Sequence, residues 1–130
     1  MKIELTHEES ETYFHNALCN GLAYIAGYNL EIEYTGAELK QARANYAAAH
    51  PNELACYEDI LMQILRDGNT LKLIDNEDED NVKEIKLSDV HERVAQTPIK
   101  HLMDMVNEND DADTADVIIQ TVFLGEVIYG

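Results

Sequence analysis

His15 and Cys19 stand four residues apart in a stretch that reads as helix, so imidazole and thiol can meet on one helical face. A thiol beside an imidazole is how a cysteine nucleophile is activated. No third, orienting group is apparent in the sequence, and a partly buried structural cysteine accounts for Cys19 more simply. Cys56 is the only other cysteine, and the two make neither a C-x-x-C pair nor a disulfide framework. The histidines at 7, 15, 50, 91 and 101 match no metal motif. His91-Glu92 opens like a zincin helix, but Ala95 stands where the second histidine is needed. The chain contains no P-loop, no G-x-G-x-x-G after a strand and no G-x-S-x-G. These residues lead us to expect no catalytic group, no metal site and no cofactor.

Carboxylates offer a second kind of chemistry. Asp75, Glu77, Asp78, Glu79 and Asp80 crowd one short stretch, and carboxylate oxygens are the ligands of calcium. The calcium-loop pattern fails there, because its sixth position, counted from Asp75, is Asp80 rather than glycine and its twelfth is Lys86. A solvated acidic turn is the better expectation. Asp104 to Asp116 is a second acidic stretch without Lys or Arg. Asp113 and Asp116 suit the start of a helix, whereas capping leaves Asp110 and Asp111 unexplained. Together the two stretches could present negative charge to a basic protein.

The whole chain shares this bias. Twenty-six acidic residues face nine basic ones, a formal net charge of −17 over 130 residues. Such a surface repels phosphate backbones and anionic headgroups, so direct nucleic-acid and membrane binding are disfavoured. With 45% hydrophobic residues the chain can still bury an ordinary core as one domain, residues 1–130. No secretory signal, and no stretch apolar enough to span a bilayer, is visible. A cytoplasmic protein with reduced thiols, monomeric or weakly dimeric, is expected.

The elements that must position these groups follow from capping signals and apolar stripes. Lys2 to Leu5 could be a short edge strand. Thr6 and Glu9 form a capping-box pattern that opens a helix over 7–20, with Asn20-Gly21 as its stop and 22–28 ambiguous between helix and strand. Residues 30–34 alternate as a half-buried strand. Thr35 and Glu38 open a helix over 37–49, and Asn52 caps one over 53–67 with Leu54, Tyr57, Ile60, Leu61, Ile64 and Leu65 inward. A β-hairpin near 70–87 places the acidic stretch at its tip. Short helices follow over 89–95, capped by Ser88, and over 98–107, with Ile99, Leu102, Met103 and Val106 inward. A last helix, capped by Asp113, spans 114–123, and Glu126 to Tyr129 could return as a strand. The seven tyrosines are expected to lie mostly on inward faces. Mixed order without regular alternation predicts an α+β fold, several helices packed on a small, mainly antiparallel sheet.

The end of the chain resembles a family. Asp113-Thr-Ala-Asp116-Val-Ile-Ile-Gln120, then Phe123-Leu-Gly125-Glu126-Val-Ile-Tyr129-Gly130, is similar to the C-terminal signature of small uncharacterised proteins of bacteriophages and related mobile elements. In those proteins an A-D-hydrophobic-hydrophobic-hydrophobic-Q helix leads into F-G-E-V-V-Y-G. Here Leu124 separates Phe123 from Gly125. Asn16 to Gly21 is similar to a helix-to-glycine turn of the same proteins. The resemblance implies a phage or prophage setting, hence a bacterial host cell, and assigns no activity and no site residue. Three functions stay open: a non-enzymatic acidic module docking on a basic partner, a self-associating phage structural or accessory protein, and a small enzyme using His15 with Cys19 or a carboxylate-bound metal.

Overall fold

The computed structural model describes residues 3–130. Among them six α-helices pack on a three-stranded antiparallel sheet, an α+β arrangement as the sequence predicts.

Helix α1 spans His7–Gly27. Its start is a full capping box, Thr6 donating its N–H to Glu9 Oε1 at 2.9 Å and Glu9 its N–H to Thr6 Oγ1 at 3.0 Å. The helix does not stop at Asn20-Gly21 but runs on through the ambiguous segment, ending where Asn29 takes a positive φ of 65°. Gly21 has a packing role instead. A Cβ there would lie 2.7 Å from Ile119 Cδ1 and 3.1 Å from Ala115 Cβ, so the missing side chain lets α1 approach the last helix closely.

Strand β1 (Leu30–Glu33) pairs with β2 (Leu71–Asp75), which pairs with β3 (Asp78–Ile85). The order is β1-β2-β3, with Ile32 opposite Leu73 and Leu71 opposite Ile85, so β3 is an edge strand. Only Asn76 and Glu77 lie between β2 and β3. The acidic stretch is therefore not a loop tip: Asp75 ends one strand and Asp78, Glu79 and Asp80 begin the next. Ile3 to Leu5 form no strand, and Lys2 lies outside the described residues.

Helix α2 (Gly36–Ala49) begins with the predicted Thr35–Glu38 box. Helix α3 (Tyr57–Arg66) starts later than expected, and Leu54 and Tyr57 are exposed rather than inward. The reason is a competing cap: Asp59 reaches back to accept the Cys56 N–H at 3.0 Å, so Cys56, not Asn52, is the N-cap. Helix α4 (Leu87–Arg93) is shifted by the same device, Asp89 accepting the Lys86 N–H at 2.9 Å, which makes Lys86 the N-cap instead of Ser88. A 3₁₀ turn over Val94–Gln96 leads into α5 (Ile99–Val106). Leu102 and Met105 are its buried residues, whereas Ile99, Met103 and Val106 face outward.

Helix α6 (Ala112–Leu124) is the central element, buried on every side from Thr114 to Phe123. Each fully buried Ile, Val or Phe side chain contributes about 1.5–3 kcal/mol, so α6, together with α3 and its buried Ile60, Leu61, Met62, Ile64 and Leu65, is a major source of hydrophobic stabilisation. Its N-cap is Asp111, whose carboxylate accepts the Thr114 N–H at 2.9 Å, two residues before the predicted Asp113. Gly125 ends it in the left-handed conformation, at φ 83°. Residues 126–130 form no strand, contrary to the expectation for Glu126 to Tyr129.

Candidate functional site

The seam between α1 and α3 gathers His15, Cys19, Cys56 and Asp59. His15 and Cys19 share the face of α1 that the i,i+4 spacing dictates, and the capping contact at the start of α3 brings Asp59 beside Cys56. His15 Nε2 meets Asp59 Oδ1 at 2.8 Å, with side chains 30% and 21% exposed. Cys19 Sγ lies 3.9 Å from His15 Nδ1 and 4.0 Å from Nε2. Donor atoms of His15, Cys56 and Asp59 all fall within 4.8 Å of one another.

Burial acts to raise the Asp59 carboxyl, but hydrogen bonds from Cys56 and His15 outweigh it and hold the carboxyl below its usual value. The Cys19 thiol is pushed up to about 11, first by partial desolvation and then by the negative charges of Glu58, Cys56 and Asp59. Desolvation also raises Cys56. These directions work against an activated nucleophile, which needs an electropositive setting. Geometry agrees: near-equal distances to both ring nitrogens put the sulfur off the lone-pair axis of either. The order Asp59–His15–Cys19 thus resembles a triad in composition without the alignment for proton transfer. Local sequence could not reveal Cys56 and Asp59 as partners of His15, because 44 residues separate His15 from Asp59. The Cys56-x-x-Asp59 spacing at a helix start was the available signal.

The acidic residues singled out in the sequence divide into two groups. Asp75 accepts the Glu77 N–H at 2.9 Å and the Tyr129 hydroxyl at 2.8 Å. Asp111 is the α6 cap, and the Thr114 amide holds its carboxyl below the usual value. Capping therefore does explain Asp111, contrary to expectation. Asp110 accepts a long hydrogen bond, 3.4 Å, from Asn20 Nδ2. Glu77, Asp78, Glu79 and Asp80 are exposed. Among the described residues no Lys, Arg or His lies within ion-pair distance of these seven carboxylates, and no hydrogen bond joins the hairpin group to Asp110 or Asp111.

Two further polar clusters are structural. Glu11 accepts from Arg66 Nε at 2.8 Å and meets His91 Nε2 at 2.9 Å, while the His91 ring stacks on His7 with centroids 3.9 Å apart. This node ties α1, α3 and α4. The second contains residues of the C-terminal stretch from Asp113 to Gly130. Gln120, fully buried, accepts the N–H groups of Ile128 and Tyr129 at 2.8 and 2.9 Å and donates to the Tyr129 carbonyl at 3.0 Å. Asp116 accepts from Gln120 Nε2 and from the Tyr28 hydroxyl, both at 2.9 Å. That bond is the main reason the Tyr28 hydroxyl is raised to about 12. Tyr129 stacks on Tyr28 and donates to Asp75. The cluster is a latch that fastens the chain end to α6, α1 and the sheet.

Compared with known proteins, the chain matches no family model, no curated protein and no solved structure. No helix among the described residues is long and apolar enough to cross a membrane.

Proposed function

We propose that this protein is a non-enzymatic, acidic interaction module of phage or prophage type that docks on a basic protein in the cytoplasm of a bacterial host. The observation that carries this reading is the state of its carboxylates. Glu77 to Asp80 stand exposed on an edge hairpin without a cationic partner among the described residues, in a chain of net charge −17. Charge left uncompensated on a rigid strand attracts a basic surface over long range and speeds association. The off-axis, protonated thiol of Cys19 weighs against the enzymatic alternative.

The test is affinity capture from bacterial lysate at low and high salt, with the native chain and with a variant carrying Asp78→Asn, Glu79→Gln, Asp80→Asn and Asp110→Asn. Support would be a basic partner retained at low salt, released at high salt and captured less by the variant. Equal capture by both proteins at low salt would reduce the acidity to a solubility device. One observation favours self-association as the second reading: Ile99, Met103 and Val106 form an exposed apolar stripe on one face of α5. A concentration-dependent mass in solution, abolished by Met103→Lys, would support it.

A further inference from the structure

We propose that His15, Cys19, Cys56 and Asp59 form a binding site for a divalent transition-metal ion of the zinc class, joining α1 to α3. Four observations meet there. The donor set is two sulfurs, one imidazole nitrogen and one carboxylate oxygen, the combination that zinc selects over calcium and magnesium. The spacings are those of helical ligand pairs: His15 and Cys19 at i,i+4 on α1, Cys56 and Asp59 at i,i+3 at the start of α3. Donor atoms of His15, Cys56 and Asp59 already lie within 4.8 Å of one another, and Cys19 Sγ sits 3.9 Å from His15 Nδ1. Ligands of a tetrahedral zinc ion are separated by about 3.3–3.8 Å, so His15, Cys56 and Asp59 need to draw in by no more than about 1.5 Å, and rotation of the Cys19 side chain brings the fourth donor. Finally, both cysteines are exposed, which leaves an entry path for the ion.

The local charge favours a cation. The carboxylates of Glu58 and Asp59 lie beside the cluster, and negative charge there stabilises a dication placed among them. On binding, each thiol releases its proton to solvent and ligates as thiolate. His15 ligates through Nε2 as the neutral imidazole with its one proton on Nδ1: the ion takes the place of the hydrogen between Nε2 and Asp59 Oδ1, and that proton moves to Nδ1 or, from an imidazolium, leaves to solvent. No oxidation step is involved. The structural alternative, a His15–Asp59 bond serving only to staple two helices, leaves unexplained why both of the chain's cysteines converge on that bond.

The experiment uses the full chain, reduced and stripped with chelator, titrated with Zn²⁺ in a calorimeter and with Co²⁺ followed by visible absorption. One zinc per chain is expected, with cobalt giving tetrahedral ligand-field bands and a near-ultraviolet thiolate-to-metal transition. Zinc should also raise the melting temperature, since only the folded chain assembles the site. Cys56→Ser and Cys19→Ser should each weaken zinc binding at least about 100-fold, and Asp59→Asn at least about tenfold, with circular dichroism unchanged. A hairpin variant, Asp78→Asn with Glu79→Gln and Asp80→Asn, should bind as the native chain does. The proposal is overturned by zinc affinity that survives Cys56→Ser, by cobalt spectra without a thiolate band, or by loss of binding in the hairpin variant alone. It is equally overturned if native cysteines prove joined as a disulfide and the reduced chain takes up no zinc.

Discussion

The C-terminal latch and the His15 cluster both hang on α1, yet they spend their polar groups differently. In the latch every side-chain group has its partner: the Gln120 amide uses its oxygen twice and its nitrogen twice, and Asp116 uses both oxygens. In the seam, Asp59 is well satisfied, whereas the Cys19 sulfur sits 3.9 Å from the nearest nitrogen, off its lone-pair axis. A buried network that closes on itself stabilises one conformation, because leaving any member unpaired carries a desolvation penalty. A half-exposed cluster with unspent donors adds little stability and keeps its chemistry available. The difference separates residues that hold the fold from residues that can meet a ligand.

Five substitutions would break or sharpen that contrast. Gln120→Leu should have the largest effect, leaving the Ile128 and Tyr129 amides without acceptors and freeing the chain end. The expected loss is about 2–3 kcal/mol, read from urea midpoints, with faster amide exchange over residues 126–130. An unchanged midpoint would mean that apolar packing can replace the latch.

Gly21→Ala comes next, at the α1–α6 contact above the latch. The added methyl gains about 1 kcal/mol of helix propensity but forces Ile119 and Ala115 aside in a packed core, for a net loss of about 1 kcal/mol. Gly27→Ala, with nothing within 4 Å of the new carbon, should instead stabilise by about 0.5 kcal/mol. Equal signs for the two glycines would refute the packing role of Gly21.

Asp59→Asn tests the seam through pH. The folded chain holds this carboxyl below its ordinary value of 3.8, so it binds its proton more weakly folded than unfolded. Its contribution is complete above that value and is lost as the pH falls through the folded pKa. The variant should flatten the acid limb of the stability profile, by no more than about 1 kcal/mol because the His15 pair is partly exposed. A native acid limb in the variant would remove Asp59 from the balance.

Cys56→Ser should change metal-free stability least, within about 0.5 kcal/mol, since an exposed thiol gives way to a residue well suited to an N-cap. A loss of several kcal/mol would place Cys56 with the latch residues, among the groups that hold the fold.

What the sequence by itself determined was whatever has both partners within three or four residues. The Thr6–Glu9 and Thr35–Glu38 boxes and the inward Ile60, Leu61, Ile64 and Leu65 of α3 are of this kind, and the hairpin and the α+β class follow from the alternation and order of such local elements. The misplaced starts of α3 and α4 show the limit of that vision: Cys56 and Lys86 are not customary caps, and only the side chains of Asp59 and Asp89 make them so. Tertiary structure decided the rest. Asn20-Gly21 looks locally like a stop, but burial against α6 outweighs the glycine's conformational freedom and the helix continues. Ile99, Met103 and Val106 satisfy a helical period as well as Leu102 and Met105 do, and which face is buried depends on what packs against it. The meeting of His15 with Cys56 and Asp59 likewise belongs to the fold, because hydrophobic packing of α1 and α3, not any local spacing, brings those donors within reach.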